Sequence, residues 1–335
     1  MRNAPWIPGL PVPVLLPPNL GGPANTPTPG PTPGPTNPAP ATGSLPAGAV
    51  DSTGAFTPGY EKGQAEKILN ELVAALRSDY KAKVQGIPLA ADMQTNDVNA
   101  YAGCENGAAF MAITYPLLRA AGHIAEAKAA DDIFGTQKLN AYYKMAADAL
   151  ASGGAVPDPP AGFFTATEAN DARKLIRQRD IFDEMIAFVL GHELAHHYLG
   201  HTGCANGAVA GGLDPAKLGR ITSNVIPGFN QFNETAADTS GTRNLLDAGV
   251  TRANGGGVAL TEGGALLVLG FFASMQTLRP ETIALGFLRT HPPPQLRIPL
   301  VQSTAQQWRA GVGKSGNSSM PFPIPVPLPF PIPGM

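Results

Sequence analysis

Two histidines four residues apart, with a glutamate between them, are the first groups in this chain that could do chemistry. They lie in the run His192-Glu193-Leu194-Ala195-His196. On a helix, residues i and i+4 share a face, so the two imidazoles can converge on one zinc ion. Glu193 is turned about 100° from His192, better placed to reach a water beside the metal than the metal itself. An ordinary core helix with two accidental histidines is the competing reading, and the remaining residues have to separate the two.

A zinc site of this kind needs a third ligand from another element. The best candidate segment is Asn233-Glu234-Thr235-Ala236-Ala237-Asp238, inside a helical run from about 228 to 246. Glu234 and Asp238 are again i and i+4, which suits a carboxylate ligand and a second acid that orients a ligating histidine. The small residues between them let two helices approach closely. A solvated pair of acids is the plain alternative, as is a helix pair between Asp238 and Arg243. The longer metzincin pattern does not apply, because Leu199 and Thr202 stand where its glycine and third histidine belong. Gly200 reads as a helix stop, and His201 lies half a turn away from His192 on an unbroken helix. His197 and His201 are therefore expected to pack or to face solvent. His291 precedes three prolines that stiffen its loop; on its residues alone, a surface histidine is the simplest reading there.

The elements that must position these groups follow from periodicity. Ile181, Phe182, Met185, Ile186, Phe188, Val189 and Leu190 form the apolar face of a long helix, expected over 165–199. An amphipathic helix is expected over 60–83, with Ile68, Leu69, Leu72, Val73 and Leu76 on one stripe. Residues 98–114 read as a hairpin turning near Glu105-Asn106-Gly107. Its first strand contains Asn99, Ala100, Tyr101 and Ala102 and is either structural or an edge that pairs with extended peptide. Further helices are expected over 117–130, 136–151, 258–275 and 281–288, and 203–212 reads as a glycine-rich loop. The fold class is α+β, mainly helical, with a small sheet edging a cleft.

Of 35 prolines in 335 residues, sixteen lie in 1–58 and seven in 321–333. The expected organisation is therefore a proline-rich tail over 1–58, one folded domain over 59–312, and a linker with a Pro-X repeat over 313–335. A formal charge of −2 argues against a nucleic-acid partner. The prolines near the start break any signal-peptide core, and the most apolar stretch, 263–275, is too short to span a bilayer. A soluble chain is expected, cytoplasmic by default. Cys104 and Cys204 make no disulfide framework, and free thiols are expected, with a single bridge as the alternative.

Four separated motifs together resemble the HtpX-like and CAAX-prenyl-protease-like zinc metallopeptidases, a gluzincin group. They are Asn99 to Ala102, Gly191 to His196, Glu234 to Asp238, and His291-Pro292 with Arg297-Ile298. The resemblance covers about 60–310, on the soluble branch; the tails and an insertion-like segment over 116–165 lie outside the pattern. It implies one zinc per chain, bound by His192, His196 and Glu234, with Glu193 as base. It also implies that His291 acts on the transition state or as a transient ligand. The expected activity is endoproteolysis of peptides or unfolded proteins, with a protein partner for the proline-rich tails as a further expectation. A non-hydrolytic peptide binder, or a scaffold acting through its tails, is the alternative.

Overall fold

In a computed structural model, residues 44–105, 107–204, 231–279, 287–288 and 291–311 are described. Their helices are α1 (Pro58–Ala75), α2 (Ser78–Val84), α3 (Tyr115–Phe134), α4 (Lys138–Ala151), α5 (Ala166–Asn170), α6 (Ala172–Tyr198), α7 (Gln231–Asn254), α8 (Gly263–Leu278) and α9 (Pro294–Arg309). The strands are β1 (Leu89–Asp92), β2 (Ala100–Glu105) and β3 (Ala108–Thr114). The architecture is mainly helical with one three-stranded sheet.

Helix α6 is the axis of the molecule. It packs against α1, α3, α7 and α8, so it is buried on nearly every side, as expected of a helix enclosed in a core. Ile181, Phe182, Ile186, Phe188 and Leu190 are at most 1% exposed, and each contributes roughly 1.5–3 kcal/mol by burial. Two of its buried charges are paired: Lys174 Nζ donates to Glu126 at 2.9 Å. Asp183 accepts from Gln64 and Arg252, each at 2.8 Å.

The long helix expected over 165–199 is in fact two. Thr165 caps α5 with a reciprocal capping box to Glu168, and Asp171, in extended conformation, accepts from the Arg173 and Lys174 N–H groups to start α6 afresh. The helix expected over 60–83 also breaks: Leu76 (ψ 146°) and Arg77 (ψ 152°) are extended between α1 and α2. Segment 116–165 is no appended insertion, because α3 from it packs along α6 and its Leu117, Leu118 and Ile124 lie in the main core. The packed body also begins before residue 59: Ala49, Ala55 and Phe56 are buried, with Val50 bridging Phe56. α8 starts at Gly263 rather than 258. The expected helix at 281–288, the loop beyond 204 and both tails outside 44–311 fall, wholly or mostly, outside the described residues.

The hairpin forms as expected. β2 and β3 pair antiparallel from Ala100↔Ile113 to Glu105↔Ala108, and Gly107 (φ +79°) takes the left-handed conformation that a tight turn requires. β1, which periodicity did not reveal, pairs parallel with β3, giving the order β1-β3-β2. Among the described residues β2 is therefore an edge strand.

Cys104 and Cys204 are bonded to each other, with Cα atoms 5.7 Å apart, which corrects the expectation of free thiols. The bridge ties β2 to the chain just past α6. Closing a loop of sequence separation 100 removes unfolded-state entropy of up to about 4.7 kcal/mol in the chain-entropy account. No helix among the described residues is long and apolar enough to cross a membrane.

Candidate active site

The close approach of α6 and α7 sets the distances in the site. Gly191 and Gly241 face each other across the two helices: a Cβ on Gly241 would lie 2.8 Å from the Gly191 carbon and the His192 nitrogen. His192 stands at this crossing and His196 one turn further along α6, with His192 Nε2 and His196 Nε2 3.1 Å apart. From α7, Glu234 reaches both, with Oε2 at 3.4 Å from His192 Nε2 and Oε1 at 3.4 Å from His196 Nε2.

Asp238, one turn further along α7, is fully buried and accepts from His192 Nδ1 at 2.9 Å. That bond places a proton on Nδ1 and turns Nε2 toward Glu234. Burial and the Arg297 cation act to lower the His192 pKa, but the hydrogen bonds to Asp238 and Glu234 outweigh them and raise it to about 9, so the metal-free ring is an imidazolium at neutral pH. Arg297 on α9 holds Asp238 in a bidentate clasp, Nε to Oδ2 at 2.9 Å and a terminal nitrogen to Oδ1 at 2.7 Å. Burial raises the Asp238 pKa, but the Arg297 cation and the His192 hydrogen bond outweigh it and hold the carboxyl far below the usual range. Glu234 behaves alike: burial raises it, yet its imidazole neighbours bring it to about 2. Both are carboxylates at neutral pH. Burial pushes His196 down to about 3, with the His192 charge adding to it, so it stands as a neutral imidazole.

Glu193 is 3% exposed and does not join the three. Its Oε2 accepts the Ala102 N–H at 2.8 Å, and its Oε1 lies 3.5 Å from His291 Nε2. Burial works to raise its pKa, and the contacts with His291, His192 and His196 reverse the sign, keeping it ionised. His291 is 6% exposed, not a surface histidine. Its Nδ1 donates to the Phe287 carbonyl at 3.1 Å, its ring stacks on Phe287, and its Nε2 lies 3.8 Å from Glu234 Oε2.

Of the expected edge residues, Asn99 turns its N–H to Thr114 Oγ1 and its carbonyl to the Thr114 N–H. By the alternation of a strand, Asn99 and Tyr101 direct their backbone toward β3, while Ala100 and Ala102 direct theirs outward, to the side of Glu193. The Tyr101 ring packs on Phe110 away from the site. His197 is a packing histidine, buried with Nε2 2.9 Å from the Phe110 carbonyl. Two contributors were not assigned roles from the sequence. Arg297 stood in a motif without a stated function, and His201, expected to turn away, lies with Nδ1 3.0 Å from His196 Nδ1.

Ligand atoms of His192, His196 and Glu234 all fall within 4.8 Å of one another. Glu234 Oε2 is buried with no hydrogen-bond donor. An unsatisfied carboxylate oxygen facing two imidazole nitrogens is costly by itself and is the donor set a divalent cation of borderline softness satisfies. The residues fit a metal.

The Peptidase family M48 model matches residues 61–305, nearly three-quarters of the chain and every residue named above from Ala102 to Arg297. The chain belongs to peptidase family M48. It is thus a metal-dependent peptidase, and its substrates are peptides or proteins. No curated protein and no solved structure matches the chain.

Proposed function

We propose that this M48 peptidase is a zinc-dependent endopeptidase with a gluzincin-type site. In this reading His192, His196 and Glu234 hold the ion and Glu193 is the general base. The observation that carries the reading is the convergence of those three donor groups, with an ionised Glu193 beside them whose oxygens face the Ala102 N–H and His291. A zinc ion there would polarise the scissile carbonyl and lower the pKa of an attacking water toward ~7.

The remaining work falls to the chain. Glu193 has one oxygen occupied by the Ala102 N–H, so Oε1 is the atom that takes the water's proton and later delivers it to the leaving amine. Asp238, anchored by Arg297, keeps the His192 proton on Nδ1 and the lone pair on Nε2. His291 has its Nδ1–H committed to Phe287. Its Nε2 faces Glu193 and Glu234, and from that place it would act on negative charge developing on the attacked carbonyl oxygen. Extended substrate adds to the outer edge of β2 through the outward carbonyls of Ala100 and Ala102, whose N–H groups are taken by Asn99 Oδ1 and Glu193, which brings its backbone to Glu193.

The test is Glu193→Gln. The amide keeps the size and the hydrogen bond from Ala102 but cannot take a proton. The variant should bind zinc as the wild type does and lose nearly all hydrolysis of a quenched peptide. Wild-type turnover in the zinc-loaded variant would remove Glu193 from the chemistry.

A further inference from the structure

Helix α6 ends in a left-handed stop that folds the chain back onto the second metal-site histidine. Gly200 has φ +84°, its N–H donates to the His197 carbonyl at 2.9 Å, and the His201 N–H donates to the His196 carbonyl at 2.8 Å. These are the two paired bonds of a Schellman motif. In that motif the residue after the glycine returns against the helix one turn earlier, commonly as an apolar contact. Here both partners are imidazoles, with Nδ1 atoms 3.0 Å apart and ring centroids 5.1 Å apart at an interplanar angle of 67°.

We propose that His201 is a positioning residue for the metal site: it accepts the His196 Nδ1–H and so holds His196 Nε2 on the ion. The inference rests on the metal reading above and adds a residue to it. A neutral imidazole that gives its Nε2 lone pair to a metal carries its proton on Nδ1. Two nitrogens at hydrogen-bond distance share one proton between them, so His201 must present a lone pair at Nδ1 and carry its own proton on Nε2.

His192 has the same requirement, met by Asp238; His201 is the corresponding partner of His196. The two supports differ in strength. Asp238 is an ionised, fully buried carboxylate clasped by Arg297, whereas His201 is a neutral, half-buried acceptor. The segment that carries His201 is fixed on its far side as well. Thr202 Oγ1 lies 3.1 Å from His197 Nδ1, and Cys204 is bonded to Cys104 on β2.

The test uses full-length protein with His201→Leu, which has no acceptor, and His201→Gln, which restores one. Zinc affinity is measured by competition with a chromophoric chelator, and unfolding of the metal-free protein is measured alongside. His201→Leu should weaken zinc by roughly 10–100-fold with metal-free stability little changed, and His201→Gln should recover most of the loss. Ring-nitrogen NMR of the zinc-loaded wild type should find protons on His196 Nδ1 and His201 Nε2. Wild-type zinc affinity in His201→Leu, equal losses in Leu and Gln, or a proton on His201 Nδ1 in the loaded protein would each overturn the assignment. Failure of the metal reading itself looks different: the wild type would bind no zinc, or would bind it undiminished after His192 and His196 are both replaced.

Discussion

Replacing Arg297 by leucine should expose how much of the site depends on a residue that touches neither metal nor substrate. Arg297 is 2% exposed and Asp238 0%, and two hydrogen bonds of 2.9 and 2.7 Å join them. At roughly 4 Å and an effective dielectric near 20, opposite unit charges attract by about 4 kcal/mol. That agrees with the ~3–5 kcal/mol typically lost when one member of a buried pair is removed and the other is left uncompensated. A domain with about 5–15 kcal/mol in hand survives this, so Arg297→Leu should fold with a markedly lower denaturation midpoint in chelator. With its clasp gone, Asp238 orients His192 less well, and zinc affinity should fall by roughly 10–100-fold. Adding Asp238→Asn removes the orphaned charge. The double variant should therefore regain part of the stability while zinc binding stays weak. Chemical denaturation of the four metal-free proteins reads the first effect and chelator competition the second. A loss below about 1 kcal/mol in Arg297→Leu, or a double variant that loses the sum of the single losses, would refute the coupling.

Gly241→Ala should cost about 1–3 kcal/mol by overpacking, because its Cβ meets the backbone of Gly191 and His192 at 2.8 Å, and it should weaken zinc by parting α6 from α7. Gly63→Ala in α1, with nothing within 4 Å of the added Cβ, should instead stabilise by about 0.5–1 kcal/mol; thermal unfolding of the two would show opposite signs. Burial pushes the Glu184 carboxyl up from 4.5 to about 7 against the Thr261 hydroxyl bond. Its folded form therefore binds more protons than its unfolded form in that window, and its contribution, present below about 4.5, is lost as pH rises through 7. The loss is on the order of 3 kcal/mol. Glu184→Gln keeps the acceptor for Thr261 and should flatten the fall in stability between those pH values; an unchanged slope would assign it to other groups.

The motif helix, the hairpin and the acid pair on the second helix were legible because each is a local pattern. Four-residue spacing places His192 with His196 and Glu234 with Asp238 whatever surrounds them, and Gly107 marks its own turn. The break at Leu76-Arg77 was not legible, since both are good helix formers and Leu76 leaves the helix while packing against the core. β1 was missed because Leu-Ala-Ala-Asp has little strand character and pairs in parallel with a strand well downstream. The Cys104–Cys204 bond joins residues a hundred positions apart and needs the fold to be seen. The place of His201 is not local in the same way: Gly200 marks the stop, but only the left-handed reversal that follows turns the next side chain back onto His196.

The most direct test of the metal site is a zinc titration of chelator-stripped wild-type protein against the initial rate of peptide hydrolysis. Stripped protein should be inactive, and the rate should rise linearly and break at one zinc per chain. Hydrolysis that survives stripping, or that keeps rising without a break at one equivalent, would contradict a single site built from His192, His196 and Glu234.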